Sequence, residues 1–309
     1  MTMISIVVPL YNEEAIVKRN LQIIAREAEA KGHTLEIIAV NDGSADGTWA
    51  EICDAAISDD RIRGVCFTRN FGKEAAILAG LMEARGDGVI VIDADLQHPP
   101  ALIPEMIRLW QSGFPVVEAV KANRGKETVA NRVFAKLFYK IFHNLSELDI
   151  AGHSDFKLLD RSVVDAYIRL PERNRFFRGL IHWVGFRSAR IPFQVAERDI
   201  GGSRWNKLKL LKYAINNITM FSSFPLKSIT WLGMLMFALG GIVGTVSLIQ
   251  KAEGTALDGF TTVNLLIIMT SGILMVSLGI IGHYLSRIYD EIKGRPPFVR
   301  ETQRKDVQS

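Results

Sequence analysis

The first 120 residues alternate between short apolar runs and longer stretches with helical spacing. ISIVVP (4–9) is apolar, largely β-branched and closed by Pro9, as a buried strand is. Residues 13–31 repeat apolar positions at Ile16, Leu21, Ile24 and Ala28, the spacing of one helix face. LEIIAV (35–40) reads as a second strand. DGTWAEICDAA follows as a helix, with Asp46 as its N-cap. RIRGVCF (61–67) and KEAAILAGLMEA (73–84) repeat the pair. GVIVID (88–93) is a fourth strand, a helix follows Pro99 and Pro100, and PVVEAV (115–120) is a further strand. Strands separated by helices of this length make βαβ units. The predicted architecture is an α/β fold, a mostly parallel sheet with helices on both faces.

The pattern changes near residue 225. Residues 228–250 and 259–282 carry no charge, and each run is long enough to cross a hydrocarbon core of about 30 Å as a helix. Two transmembrane helices, 228–250 and 260–282, are therefore expected. Lys227 precedes them and Arg287, Lys293, Arg295 and Arg300 follow. The positive-inside rule puts both ends of the pair in the cytoplasm. The N-terminus lacks a basic n-region and meets acids by residue 13, so it reads as a first strand and not as a signal peptide. Four segments result: a cytoplasmic domain (1–204), a juxtamembrane segment (205–227), the membrane pair (228–285) and a basic tail (286–309).

In a parallel sheet, ligands bind at the carboxyl ends of the strands. Those ends are polar here: Pro9 to Glu13, Asn41 to Ser44, Thr68 to Lys73, and Asp93 to Gln97. The stretch VIDADLQHPP (91–100) is the most demanding, because an apolar strand finishes on Asp93 and Asp95. A turn, an acid/base pair and a metal site all remain open for it. Neither G-x-G-x-x-G after the first strand nor G-x-x-x-x-G-K-[ST] anywhere is present, which disfavours a dinucleotide fold and a P-loop. The net charge of +4 over 309 residues comes without basic blocks or a nucleic-acid motif, so no nucleic-acid partner is expected. Cys53 and Cys66 lack metal-ligand spacing and read as ordinary buried thiols.

The strings VVPLYNEE, VNDGSADGT, TRNFGKEAAILAGL and DADLQHPP, in this order, resemble a family 2 inverting glycosyltransferase of the GT-A fold. With the apolar C-terminal runs, the whole chain is similar to the polyprenyl-phosphate glycosyltransferases. Bactoprenol glucosyltransferases are the nearer resemblance and dolichyl-phosphate mannose synthase the more distant one. The resemblance implies a D-x-D-x-Q metal site at Asp93, Asp95 and Gln97, holding Mg2+ or Mn2+. It implies donor contacts from Pro9, Tyr11, Glu13, Asp42 and Asp93. Oxygen donors suit a hard cation that keeps substrate phosphates in its shell, and a bound cation removes the repulsion between the paired acids. On a strand, 93, 95 and 97 would share one face. His98 stands where many relatives have an acid and is read as a neighbour rather than a ligand. Lys73 is either a phosphate partner or helix decoration.

GHSDFKLLDR (152–161) matches the family's acceptor-side segment, and Asp155 falls on its carboxylate. Ser154 and Lys157 depart from the commoner Gly-Asp-Phe-Arg string. The acceptor is a phosphate monoester with a second pKa of about 6, already an anionic nucleophile, so Asp155 is either a base or an orienting group. Arg124, Arg132, Lys136, Arg198 and Arg204 are the candidate cations for the acceptor phosphate, Arg by its forked donors. Residues 204–221 carry Leu208, Leu211, Ile215 and Ile218 on one stripe, an interfacial amphipathic pattern. RFFRGLIHWVGF (175–186) mixes arginines and aromatics, as a second surface element would.

The expected function is transfer of one sugar, glucose from UDP-glucose, to undecaprenyl phosphate at the cytoplasmic face of the inner membrane. GDP-mannose or a UDP-amino sugar stays open as donor, and so does a non-catalytic nucleotide-sugar-binding subunit. A processive synthase fits less well, because Gly201 precedes Arg204-Trp205 where that group has Gln. The expected partners are a nucleotide sugar, a polyprenyl phosphate and the membrane. The apolar helices leave room for pairing with further copies of the chain.

Overall fold

The computed structural model describes residues 2–29, 33–121, 153–173, 175–193, 224–254 and 259–301. The chain divides into two units, Met1–Arg204 with Arg295–Ser309, and Trp205–Gly294.

Among the described residues, the first unit is built on a seven-stranded sheet of order β3-β2-β1-β4-β6-β5-β7. Its strands are β1 (Thr2–Leu10), β2 (His33–Asn41), β3 (Ile62–Cys66), β4 (Gly88–Val91), β5 (Val116–Lys121), β6 (His153–Asp160) and β7 (Ser188–Phe193). β1 pairs in parallel with β2 and β4, and β2 with β3. β6 runs antiparallel to both β4 and β5, and β5 is parallel to β7. The sheet is therefore mixed but mostly parallel, an α/β arrangement. Because β6 alone is reversed, its N-terminal end lies level with the carboxyl ends of its neighbours.

Helices cover both faces, and the alternation along each strand shows which. Ile4, Ile6, Val8 and Leu10 share one apolar cluster with Val17, Leu21 and Ile24 of α1 (Val17–Glu27), Ile52 of α2 (Thr48–Ser58) and Met106 of α4 (Ile103–Gln111). The opposite face of β1 meets α3 (Lys73–Glu83), where a Cβ on Gly80 would come within 2.2 Å of the Val7 side chain. α5 (Arg161–Arg169) and α6 (Phe177–Trp183) pack beside α3 on that side, burying Val163, Val164, Tyr167 and Phe177. Burial on both faces explains why the strands read as continuous apolar runs. Gly80→Ala overpacks the α3–β1 contact. We expect a loss of about 1–3 kcal/mol, seen as a melting temperature several degrees lower for the detergent-solubilised protein.

Several boundaries differ from the sequence reading. α1 starts at Val17, not residue 13, because Asn12 has φ of 55° and Glu13 O accepts the N–H groups of Ile16 and Val17 in a turn. Gly47 rather than Asp46 is the N-cap of α2, although the Asp46 carboxylate still accepts from Thr48 N at 3.1 Å. β4 ends at Val91, so Asp93, Asp95 and Gln97 do not lie on a strand. They occupy a turn in which Leu96 has φ of 55°, and the shared-face expectation fails for that reason.

The edge strand β3 is capped by the chain's C-terminal segment. Thr68 N donates to Val299 O at 3.1 Å and Glu301 N to Cys66 O at 2.8 Å. The Phe298 ring stacks on Phe67 at 4.9 Å, and Arg300 pairs with Glu83. The C-terminal segment thereby covers the end of this edge strand.

The second unit contains α7 (Phe224–Ala252) and α8 (Phe260–Ile292). Among the described residues, one stretch is long and apolar enough to cross a membrane, Met269–Ile292. This corrects the expectation of two spans at 228–250 and 260–282. The apolar stretch of α7 is Ser228–Val243, about 24 Å of helix and short of the hydrocarbon core. Gly240, Gly241, Gly244, Thr245 and Ser247 dilute its second half. Leu274, Met275, Leu278, Leu285 and Ile292 of α8 are all more than half exposed, which suits a lipid surroundings better than water.

Candidate functional site

The carboxyl ends of β1, β2 and β4 and the start of α3 enclose a cavity of about 300 Å3. Its walls include Pro9, Tyr11, Glu13, Asp42, Lys73, Asp93 and Asp95, with Asn70 and Gly72 added from the loop after β3. The structure thus brings together seven residues singled out in the sequence. Gln97 is absent from the cavity wall. Arg124, Arg132, Lys136, Arg198 and Arg204, and the amphipathic stretch 204–221, lie outside the described residues.

The loops that carry these residues are clasped to each other. Asn12 N donates to Ser44 Oγ at 3.0 Å, Ala45 N donates to Asn12 Oδ1 at 2.9 Å, and Glu13 N donates to Thr48 Oγ1 at 2.8 Å. Gly43 makes the turn after β2 with φ of 60°, and a Cβ there would strike the Arg69 backbone. Asp42 is buried, and its carboxylate accepts from Phe71 N at 2.7 Å and Gly72 N at 2.9 Å. Burial pushes the Asp42 carboxyl up and these N–H groups oppose it. Asp42 therefore holds the entry to α3 while facing the cavity.

The acidic turn after β4 is fixed from behind. Asn20 of α1 donates to Ala94 O at 2.7 Å, and Gln97 N donates to Asp95 Oδ1 at 3.1 Å. His98 is buried against Phe156 and Phe193, with its Nδ1 at 3.8 Å from Asp93 Oδ2. It is a neighbour of the acids, facing an aromatic wall.

Asp155 reaches this edge because β6 is reversed. Val91 pairs with Lys157, so Asp93, two residues further on, comes level with Asp155. Lys73 Nζ bridges the two carboxylates at 2.6 Å each. Arg178, from the first turn of α6, donates through Nε to Asp155 Oδ1 at 2.6 Å and through Nη2 to Oδ2 at 2.9 Å. Burial alone would push the Asp155 carboxyl up. The Lys73 and Arg178 cations outweigh it and hold the group far below the usual carboxylate range. Burial likewise pulls Lys73 down, and the two carboxylates beside it raise it well above a free lysine.

Two further groups support the cluster. Glu74 accepts from Phe177 N at 2.8 Å and ties the start of α3 to the start of α6. Burial, and then the Asp155 charge, push its carboxyl up to about 8. Lys157, on the same face as Asp155, pairs with Glu118 across the β5–β6 register at 2.6 Å in full burial. Burial pulls Lys157 down despite that partner. Arg178, Glu74 and Asn70 were not singled out in the sequence. The only signal for Arg178 was its place in a string of arginines and aromatics.

Asp93 and Asp95 supply oxygen donors on the cavity wall, the chemistry a hard cation takes. Among the described residues, no group of three His, Cys, Asp or Glu side chains converges as a cation site. The donor set fits a cation held by two carboxylates, with substrate phosphates completing its shell. It does not fit a three-residue protein cage on one strand face.

An α/β sheet with an acid-lined cavity at its parallel strand ends defines the class. The chain belongs to glycosyl transferase family 2, whose pattern matches residues 5–168. Over nearly its full length it is close to the bactoprenol glucosyl transferases. It is 37% identical to that of Shigella phage SfII over 96% of each chain, and 37% identical to that of Shigella phage SfV over 97% of this chain and 99% of the relative. A glycosyltransferase of Synechocystis is 39% identical over 96% of this chain and 94% of its own. Among solved structures, glucosyl-3-phosphoglycerate synthase from Mycobacterium tuberculosis aligns with a TM-score of 0.48 and 21% identity, over 72% of this chain and 80% of that one.

Proposed function

We propose that this glycosyltransferase moves a single sugar, glucose from UDP-glucose, onto undecaprenyl phosphate with inversion at the anomeric carbon, at the cytoplasmic face of the inner membrane. The observation that carries the reading is the full-length likeness to bactoprenol glucosyl transferases, which covers both the sheet and the apolar helices. Pro9, Tyr11, Glu13 and Asp42 wall the nucleotide. Asp93 and Asp95 would hold Mg2+ or Mn2+, which would supply positive charge to stabilise the departing diphosphate. Lys73 faces that diphosphate beside Asp93, and Asp155 with Arg178 faces the acceptor.

A panel of labelled nucleotide sugars, incubated with the full chain in membranes and undecaprenyl phosphate, tests this reading. The expected result is one glycolipid, formed from UDP-glucose and lost in excess chelator. Turnover of a different donor would overturn the sugar assignment, and no glycolipid from any donor would overturn the acceptor.

A further inference from the structure

α6 begins on Asp155 and ends in an exposed aromatic turn. Phe177, Leu180 and Ile181 are buried and fix the helix against the sheet. Gly185, with φ of 77°, donates to His182 O at 3.1 Å and ends the helix in a left-handed turn. That turn leaves Trp183 59% exposed and Phe186 36% exposed on its outer side. Arg187, beside them, is exposed and lies over the Phe114 ring at 5.4 Å, and Arg190 is exposed on β7. From residue 173 to 193 the chain carries five arginines and no acid. A large exposed indole, a phenyl ring and the exposed Arg187 and Arg190 match the interface of an anionic bilayer, where tryptophan sits at headgroup level.

The same helix sets a distance. Arg178, which grips Asp155, precedes Trp183 by five residues, about 7.5 Å of helix rise. A tryptophan at headgroup height therefore puts the Asp155 cluster within reach of a phosphate that stays in the membrane.

We propose that the turn closing α6, with Trp183 and Phe186 at its tip and Arg187 and Arg190 at its base, is a docking surface for an anionic lipid bilayer. It holds the Asp155 end of the site at headgroup level. The docking stands on the turn alone, whereas its use in acceptor delivery rests on the polyprenyl-phosphate reading above.

The test uses the full chain, labelled with 5-fluorotryptophan, in nanodiscs containing phosphatidylglycerol. The Trp183 resonance is the one lost in Trp183→Phe. Nitroxide lipids labelled near the headgroup should broaden it strongly, and a water-soluble relaxation agent should leave it sharp. Broadening by the water-soluble agent alone overturns the proposal. Protection from both agents also overturns it, since a second copy of the chain or another protein would then cover the turn. A kinetic arm adds Trp183→Ser with Phe186→Ser. The KM for undecaprenyl phosphate in bilayers should rise about tenfold. The rate on a short-chain, water-soluble polyprenyl phosphate should match that of the parent. Equal losses on both acceptors overturn the delivery role. If neither acceptor is used at all, the polyprenyl-phosphate reading fails, and the resonance measurement still decides the docking.

Discussion

Asp95→Asn lowers sugar transfer by on the order of 10³-fold, about 4 kcal/mol in the barrier, while the chain stays folded. Asp95 is half-buried on the cavity wall, and its carboxylate accepts the Gln97 N–H in the turn after β4. An asparagine oxygen accepts that bond equally well, so the turn survives. What it loses is the negative charge that a hard cation requires from one of the two carboxylates on the cavity wall after β4. The cost therefore falls on the departing diphosphate, whose developing charge is left without its counter-ion. Calorimetry gives a readout separate from turnover. In the parent, UDP should bind at least tenfold more tightly with Mn2+ than in chelator, and in Asp95→Asn the two affinities should converge. Retained metal dependence in the variant would remove Asp95 from the metal site. Asp93→Asn should behave differently, because Asp93 also holds Lys73 Nζ at 2.6 Å. Its loss should also change the partner set of Asp155.

The cavity was legible because each half of it obeys a local rule. Strand ends in a parallel sheet meet at one edge, so polar residues after Val8, Val40 and Val91 converge whatever the loops do. Two things escaped that rule. The spacing of Asp93, Asp95 and Gln97 by two looks like a strand, yet the left-handed Leu96 breaks the alternation and turns Gln97 off the cavity wall. Asp155 was found through its motif, but its partners lie 82 residues back at Lys73 and 23 ahead at Arg178. Only the reversed direction of β6 brings them together. HSDFKLLD alternates, with Phe156 and Leu158 on one face and Asp155 and Lys157 on the other, yet 152–161 stands out in the sequence only as a motif, with no strand expected there. Its antiparallel sense was not legible, because pairing direction is set by neighbours remote in the chain.

Asp155→Asn lowers kcat by about 10²- to 10³-fold with the donor KM nearly unchanged, and the reason is positional rather than basic. A general base works best when its pKa lies near the working pH. Asp155 is held far below that range by Lys73 and Arg178, so it stays ionised and a poor proton acceptor at any pH the enzyme meets. Its carboxylate instead fixes two cations at the cavity edge, where an anionic acceptor must approach a diphosphate that is itself negative. The neutral amide loosens its hold on both and leaves Asp93 as the carboxylate that still holds Lys73. The sign of the linkage follows. A depressed carboxyl stabilises the fold above its unfolded pKa of about 3.9, and that stability is lost as pH falls through the folded value. At neutral pH the variant should lose stability, though less than the 3–5 kcal/mol of a fully buried broken pair. Lys73 and Arg178 are 41% and 34% exposed and keep water as an alternative partner. The acid limb of the parent rate profile should follow the acceptor phosphate, near pH 6, and not Asp155. Arg178→Gln sharpens the contrast, because removing that cation lets the Asp155 carboxyl rise. If Asp155 orients the cations, the variant is slower at every pH and its acid limb stays where the parent's lies. If Asp155 takes a proton, the limb moves upward with the carboxyl, and the positional account fails.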